Sequence, residues 1–176
     1  MKKNILITES QLEDLLKSVI NMITGGGKFD LSSLFGVKKS SSIGTDDDFY
    51  KKLLQELGAP TSEENLKFLH AWRQSEGKSG KYNPFNTTQS MMGATNFNNV
   101  GVKNYASTDD GFKATIKTLK NGRYNCIVNG LKNDIGAKKI STDCISDLKT
   151  WGTGDLVAKV ISGYDKGASP KISSLA

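Results

Sequence analysis

Apolar residues recur at helical spacing through much of the chain, and the first clear helix begins near Thr45. Three acidic residues, Asp46–Asp48, occupy its first turn, where negative charge stabilises a helix N-terminus. Its apolar face consists of Phe49, Leu53, Leu54 and Leu57. Gly58 ends the run. The pattern predicts an amphipathic helix with one face packed on a core.

A second helix is predicted to follow Pro60 and to end at Glu76. Thr61 and Glu64 have the spacing of a capping box at its start. Its buried side consists of Leu66, Phe68, Leu69, Ala71 and Trp72. Glu76 comes four residues after Trp72, so we expect it on the inward side of the last turn.

Residues 77–107, which we call the wing, show no helical period. They are rich in Asn and Gly, which favour turns, and a stretch this long in a compact domain is typical of a functional loop region. Two short strands are predicted at 95–97 and 100–105, joined by a turn at Asn98-Asn99.

Helical spacing returns after the wing. Ser107 or Thr108 is expected to cap a helix that ends at Asn121-Gly122. Further helices are predicted over 124–131, over 145–151 and after Asp155, which is expected to cap the last one. Residues 133–141 are predicted to form a loop.

The chain divides into four predicted segments. Residues 1–23 form a helical segment, 24–44 a Gly- and Ser-rich linker, 45–165 the main domain and 166–176 a polar tail. Residues 1–40 are either an attachment or oligomerisation segment or a helix that packs loosely on the body. The predicted fold class is mainly α (α+β): a helical domain with a small β-hairpin wing beside a cleft, preceded by an N-terminal helix and linker.

Composition and charge narrow the class of partner. Hydrophobic residues make up 36% of the 176 residues, a proportion typical of a soluble globular protein. No apolar run approaches the roughly 18 residues that span a bilayer, and we expect no signal peptide. The net charge of +6 suits an anionic partner such as a cell wall, although an ordinary basic surface explains it equally well. Scattered lysines without a DNA- or RNA-binding motif argue against nucleic acid.

Few residues are available for metal or nucleophilic chemistry. Cys126 and Cys144 form no CxxC motif, and we interpret them as buried free thiols in preference to a pair. His70 lies on a different helix face from Glu76, so we interpret it as structural or exposed. With a single histidine, neither a metal site, a cofactor nor a Ser or Cys nucleophile is predicted.

Glu76 is the candidate acid. Burial beside an aromatic wall raises the pKa of a carboxyl, because it disfavours the charge, and the group then keeps a proton to donate to a glycosidic oxygen. Trp72, one turn earlier, supplies such a wall. Spacing alone favours the simpler interpretation, a solvated glutamate at a helix end.

The segments around Glu76 resemble phage and bacterial peptidoglycan hydrolases of the lysozyme-like superfamily, most closely those related to glucosaminidases and soluble lytic transglycosylases. The resemblance is carried by Trp72-Arg73-x-x-Glu76-Gly77, by Asn83-Pro84-Phe85-Asn86-Thr87-Thr88, by the run from Asn96 to Tyr105, and by Ser107 with Asp110-Gly111. It covers about residues 60–135, with a weaker match at Trp151-Gly152-Thr153-Gly154. It implies a lysozyme-like domain that cleaves β-1,4 bonds of peptidoglycan with Glu76 as the acid.

Further site residues follow from the resemblance and from side-chain chemistry. Tyr105 resembles the family's cleft tyrosine near the cleaved bond, or it is a tyrosine packed on the body. The polar candidates for sugar binding, which are otherwise turn residues bonded to their own backbone, are Asn83, Asn86, Thr87, Thr88 and Asn96. Tyr124 and Trp151 are candidates for stacking on sugar rings, or they belong to the core.

A second carboxylate, which inverting glycosidases use to activate water, is missing from the wing. Three alternatives stay open: Asp109 or Asp110 folds back to the cleft, the substrate's acetamido group assists, or Glu76 acts as acid and then base to give an anhydro sugar. The simpler role of Asp109 and Asp110 is stabilisation of a helix N-terminus.

The leading hypothesis is therefore a peptidoglycan hydrolase that is phage-encoded, carried on the virion or used for lysis. Its partners would be the glycan strands and, through residues 1–40, other virion proteins. It would reside in the virion or reach the wall from the host cytoplasm or periplasm. The alternative is a non-catalytic wall-binding or virion structural module on the same scaffold.

Overall fold

The computed structural model describes residues 43–170, all within one compact unit that begins at Ile43. In this range there are seven helices and one two-stranded sheet. The helices are α1 (Asp46–Leu57), α2 (Glu63–Ser75), α3 (Thr108–Leu119), α4 (Asn125–Lys132), α5 (Ala137–Asp143), α6 (Ile145–Trp151) and α7 (Leu156–Asp165), and the strands are β1 (Thr95–Asn96) and β2 (Lys103–Asn104). None of these helices is long and apolar enough to cross a membrane. The mainly helical class is confirmed, whereas the segment 1–23, most of the linker and the end of the tail lie outside the described residues.

Helix α2 lies at the centre of the core. It packs against α7, α5 and α1, and α1 in turn contacts α3 and α4. The α1 prediction is confirmed in detail: Thr45 caps the helix by accepting the Asp48 N–H at 3.2 Å, and Gly58 ends it. The three aspartates occupy the first turn, and the predicted apolar face is buried.

The cap of α2 differs from the predicted Thr61–Glu64 capping box. Ser62 is the N-cap, and its hydroxyl accepts the Asn65 N–H at 3.1 Å. This one-residue shift moves Glu64 to the second helical position, from which its carboxylate cannot return to the cap. Glu64 instead accepts the Ala137 N–H at 2.8 Å, at the start of α5.

Helix α5 occupies part of the predicted loop 133–141, so that prediction is wrong. The helix has no side-chain cap of its own, and the Glu64 carboxylate supplies the missing acceptor at its N-terminus. Burial of Ala137 and Ile140 then stabilises a helix of only seven residues. Asp155 departs from prediction too: it occupies the N-cap of α7 but makes no capping bond and instead pairs with Lys159 at 2.7 Å.

A disulfide joins Cys126 in α4 to Cys144 at the start of α6, with the two Cα atoms 5.4 Å apart. The preferred interpretation of free thiols is therefore wrong, since sequence spacing does not reveal that these helices adjoin. Helix α4 lacks a side-chain cap from its own N-cap residue, and Asp147 in α6 accepts the Ile127 N–H at 3.1 Å. The disulfide and the hydrogen bond from the N-terminus of α4 to Asp147 therefore both join α4 to α6.

The wing contains no helix, as predicted, and its hairpin is shorter than predicted. Strands β1 and β2 pair antiparallel, with Thr95 opposite Asn104 and Asn96 opposite Lys103. The Asn98 side chain accepts the Val102 N–H at 3.1 Å and so closes the turn. The wing lies directly on α3, where a Cβ at Gly111 would stand 1.7 Å from the Tyr82 carbonyl oxygen. Only glycine permits that approach.

The disulfide generates a prediction about stability. Closing a loop of 18 residues restricts the unfolded chain, so the Cys126→Ser/Cys144→Ser variant is expected to lose about 3 kcal/mol of unfolding free energy. Urea denaturation followed by circular dichroism measures this. Reductant should lower the wild-type midpoint to that of the variant and leave the variant unchanged; a reductant-insensitive wild type would contradict the pairing.

Candidate active site

Glu76 is the C-cap residue of α2, in helical conformation. Its backbone N–H donates to the Trp72 carbonyl oxygen at 3.2 Å. Gly77 follows with φ of 64°, a left-handed conformation that turns the chain out of the helix at no steric cost. The helix end thereby fixes the backbone position of Glu76, as the sequence predicted.

Aromatic side chains form a row beside Glu76. The Trp72 and Trp151 rings meet edge to face with centroids 4.8 Å apart, and Tyr124 packs on Trp151 at 4.9 Å. The Trp151 indole N–H donates to the Phe85 carbonyl oxygen at 2.9 Å. Of the two predicted sugar-stacking residues, Tyr124 is buried in the core, whereas Trp151 is half-buried and faces the carboxyl.

Burial raises the pKa of Glu76 to about 7. The Asn86 amide, the Trp151 and Trp72 indole N–H groups and the Arg73 guanidinium oppose this rise without overcoming it. Within residues 43–170, Glu76 Oε1 is buried and has no hydrogen-bond partner of ordinary geometry. An ionised carboxylate is therefore poorly compensated here, and the protonated acid persists to near-neutral pH.

Asn86 ties the wing to the end of α2. Its backbone is left-handed, with φ of 52°, a conformation that asparagine tolerates better than most residues. Its amide group donates to the Lys78 carbonyl oxygen at 3.0 Å and to the Glu76 carbonyl oxygen at 3.4 Å, while its side-chain oxygen accepts the Gly80 N–H at 3.2 Å. Of the predicted polar residues, Asn86 is the one brought to Glu76.

Asn83 and Thr87 lie in the interior. Asn83 donates its two amide protons to the carbonyl oxygens of Thr87 and Lys103, at 2.9 and 2.7 Å. The Thr87 hydroxyl lies 2.6 Å from that of Thr118. Asn83 and Thr87 are each less than 4% exposed. They hold the wing together, which was the alternative to sugar binding.

Tyr105, Thr88 and Asn96 lie elsewhere in the wing. Tyr105 is 3% exposed, its hydroxyl donates to the Gln89 carbonyl oxygen at 2.7 Å, and burial raises its pKa to about 12. This is the packed alternative to the predicted cleft position. Thr88 and Asn96 are exposed, and Asn96 accepts the Lys103 ammonium at 2.6 Å.

Asp109 and Asp110, considered as second carboxylates, have other partners. Asp109 pairs with Lys113 in the next turn and lies 3.6 Å from Lys52; the bond to Lys113 lowers its pKa. Asp110 accepts the Ser107 hydroxyl at 2.7 Å, within the cap of α3. These contacts are those of a helix N-terminus.

Two contributors to the site were missed by sequence reasoning. Arg73 donates to the Gly77 carbonyl oxygen at 3.0 Å and is the cation that acts on Glu76. Phe85 is buried against Trp72 at 5.1 Å. Arg73 and Phe85 both lie in the sequence segments that carried the resemblance. Their place in those segments is the feature of the sequence that could have identified them.

His70 packs against residues of α1. His70 is mostly buried, 2.7 Å from Asp47 and edge-on to Tyr50. Residues 43–170 contain no group of three or more His, Cys, Asp or Glu suited to a metal ion.

Comparison of the chain with protein-family models, with curated proteins and with solved structures finds no match. The resemblance to lysozyme-like peptidoglycan hydrolases therefore stays a prediction.

The raised pKa of Glu76 generates a prediction about pH and stability. In the folded protein the pKa is about 7, against an ordinary value of 4.5, so the folded state binds the extra proton between these values. Stability from this group is complete below about pH 4.5 and is lost as pH rises through 7. Between acid pH and pH 8, the unfolding free energy of Glu76→Gln is expected to rise by about 3 kcal/mol relative to that of wild type. Denaturation of both proteins at several pH values in this range measures the change. Parallel curves would contradict the burial of this carboxyl.

Proposed function

We propose that this protein cleaves the β-1,4 glycosidic bonds of bacterial cell-wall peptidoglycan, with Glu76 as the general acid. One observation carries the proposal: a carboxyl at a helix end, buried against Trp72 and Trp151, with a pKa of about 7. Such a group is protonated under the conditions in which a glycosidase must donate a proton. The resemblance of the surrounding segments supplies the substrate class.

The reaction would begin with transfer of the Glu76 proton to the glycosidic oxygen. The bond from that oxygen to the anomeric carbon breaks, and positive charge develops on the sugar ring. Since Asp109 and Asp110 are held by the α3 N-terminus, the substrate itself would supply the group that meets this charge. That group is either the acetamido oxygen, followed by water, or the sugar's primary hydroxyl, whose proton Glu76 takes back to leave an anhydro product.

A phage origin fits the same proposal. The protein would be a virion-associated lysozyme or an endolysin that reaches the wall from the virion or from the host cell. Any contact with other virion proteins through residues 1–40 involves a segment outside the described residues.

The second candidate is a wall-binding or virion structural module without turnover. The engagement of Asp109 and Asp110 elsewhere favours it, because neither carboxylate then assists Glu76. Retention of a protonated, buried glutamate favours the enzyme, since a binding module has no need of one.

Substitution of Glu76 tests the assignment. Glu76→Gln is expected to lower the rate of clearing of purified cell walls at least about 100-fold, because the amide cannot donate a proton with comparable acidity. Wild-type clearing should also fall above about pH 7 as Glu76 ionises. The control is Glu63→Gln, on the exposed first turn of α2. Equal clearing by Glu76→Gln and wild type would refute the catalytic role; no clearing by wild type, with binding retained, would favour the module.

Substitution of the α3 aspartates tests whether Glu76 works alone. Asp109→Asn and Asp110→Asn are each expected to keep at least about half of the activity, since their carboxylates serve the helix N-terminus. A loss comparable to that of Glu76→Gln would show that one of them is the missing carboxylate. Mass spectrometry of the released fragments then separates the two substrate-assisted routes, because only one leaves anhydro ends.

A further inference from the structure

The wing has an unusual balance of charge. Residues 77–107 contain three lysines, Lys78, Lys81 and Lys103, and no aspartate or glutamate. In the part of the chain that the structure describes, six lysines outside the wing form ion pairs with acidic residues, while others, such as Lys117 and Lys132, do not; none of the three wing lysines does. The three wing lysines therefore carry positive charge without an ion-pair partner in the described residues, in a segment that begins next to Glu76.

The backbone brings the three lysines to one region. The Lys81 N–H donates to the Asn104 side chain at 2.8 Å, and the Tyr105 N–H donates to the Lys81 carbonyl oxygen at 3.0 Å. The segment of Lys81 thus runs beside β2, which carries Lys103. Lys78 is held by the same Asn86 amide that reaches the Glu76 backbone.

The contacts of the lysine side chains leave their charges intact. The Lys103 ammonium donates to the neutral Asn96 amide oxygen at 2.6 Å, and the Lys81 ammonium lies 4.9 Å from the centre of the Tyr82 ring. These contacts restrict the side chains without neutralising them. Lys78 and Lys81 are exposed to solvent.

We propose that the wing is a binding surface for an anionic glycan, in which Lys78, Lys81 and Lys103 contact the stem-peptide carboxylates of peptidoglycan. This rests on the proposed function, and it names the groups of peptidoglycan that the wing would recognise. The stem-peptide carboxylates are the anions of the polymer that the proposed function names, and a single ammonium group attracts a carboxylate as a point charge.

Binding by a variant that cannot cleave tests the surface. On the full-length Glu76→Gln background, Lys78→Gln/Lys81→Gln/Lys103→Gln is expected to bind insoluble peptidoglycan about tenfold more weakly at roughly 0.15 M salt, as three charge contacts at the surface together predict. The control with the same charge change is Lys117→Gln/Lys132→Gln/Lys166→Gln, at exposed positions outside the wing. It should bind within about twofold of the parent.

Chemically altered walls identify the anion. Peptidoglycan whose carboxylates have been converted to amides should bind the parent as weakly as native wall binds the wing variant, whereas wall stripped of phosphate polymers should bind unchanged. Equal loss in wing and control variants, or loss on phosphate removal alone, would overturn the proposal. A wild type that clears no wall, combined with wing-dependent binding, would refute the enzyme and leave the binding surface standing.

Discussion

Burial of the Glu76 carboxyl against the Trp72 and Trp151 rings is the interaction on which the site depends. A charged carboxylate so placed would lack sufficient hydrogen bonds, so the group resolves the conflict by keeping its proton. The groups around the Glu76 carboxyl come from different parts of the fold: Trp72 from α2, which also carries Glu76, Trp151 from α6, and the Asn86 amide from the wing. The pKa of Glu76 therefore depends on how α2, α6 and the wing pack against one another.

The helices that begin and end with their own signals were predictable. Thr45 and Gly58 bound α1, and Ser107 begins α3, because a hydroxyl cap or a left-handed glycine acts within a few residues. Helix α5 and the cap of α4 were not, since their N-termini are satisfied by Glu64 and Asp147 from distant helices. The disulfide was not predictable for the same reason, because Cys126 and Cys144 become neighbours only when their helices pack together.

The candidate site divides in a similar way. Glu76 and Trp72 share a face because they stand four residues apart on one helix, so their proximity was visible in the sequence. Asn83 and Thr87 were expected to bind sugar and instead bond the wing to itself. A segment of this length without helix or extended sheet must satisfy its backbone by other means, and Asn and Thr side chains do so. Polar composition alone does not separate these internal duties from contacts with a substrate.

The contribution of α6 to the surroundings of Glu76 has a consequence for synthesis of the protein. Trp151 is encoded far downstream of Glu76, after the whole wing and helices α3 to α5. While the ribosome is still translating these elements, the nascent chain can present Glu76 and Trp72 but lacks the second indole that completes the desolvated surroundings. The environment that raises the pKa of Glu76 is complete only when the last third of the domain has emerged and folded back onto α2.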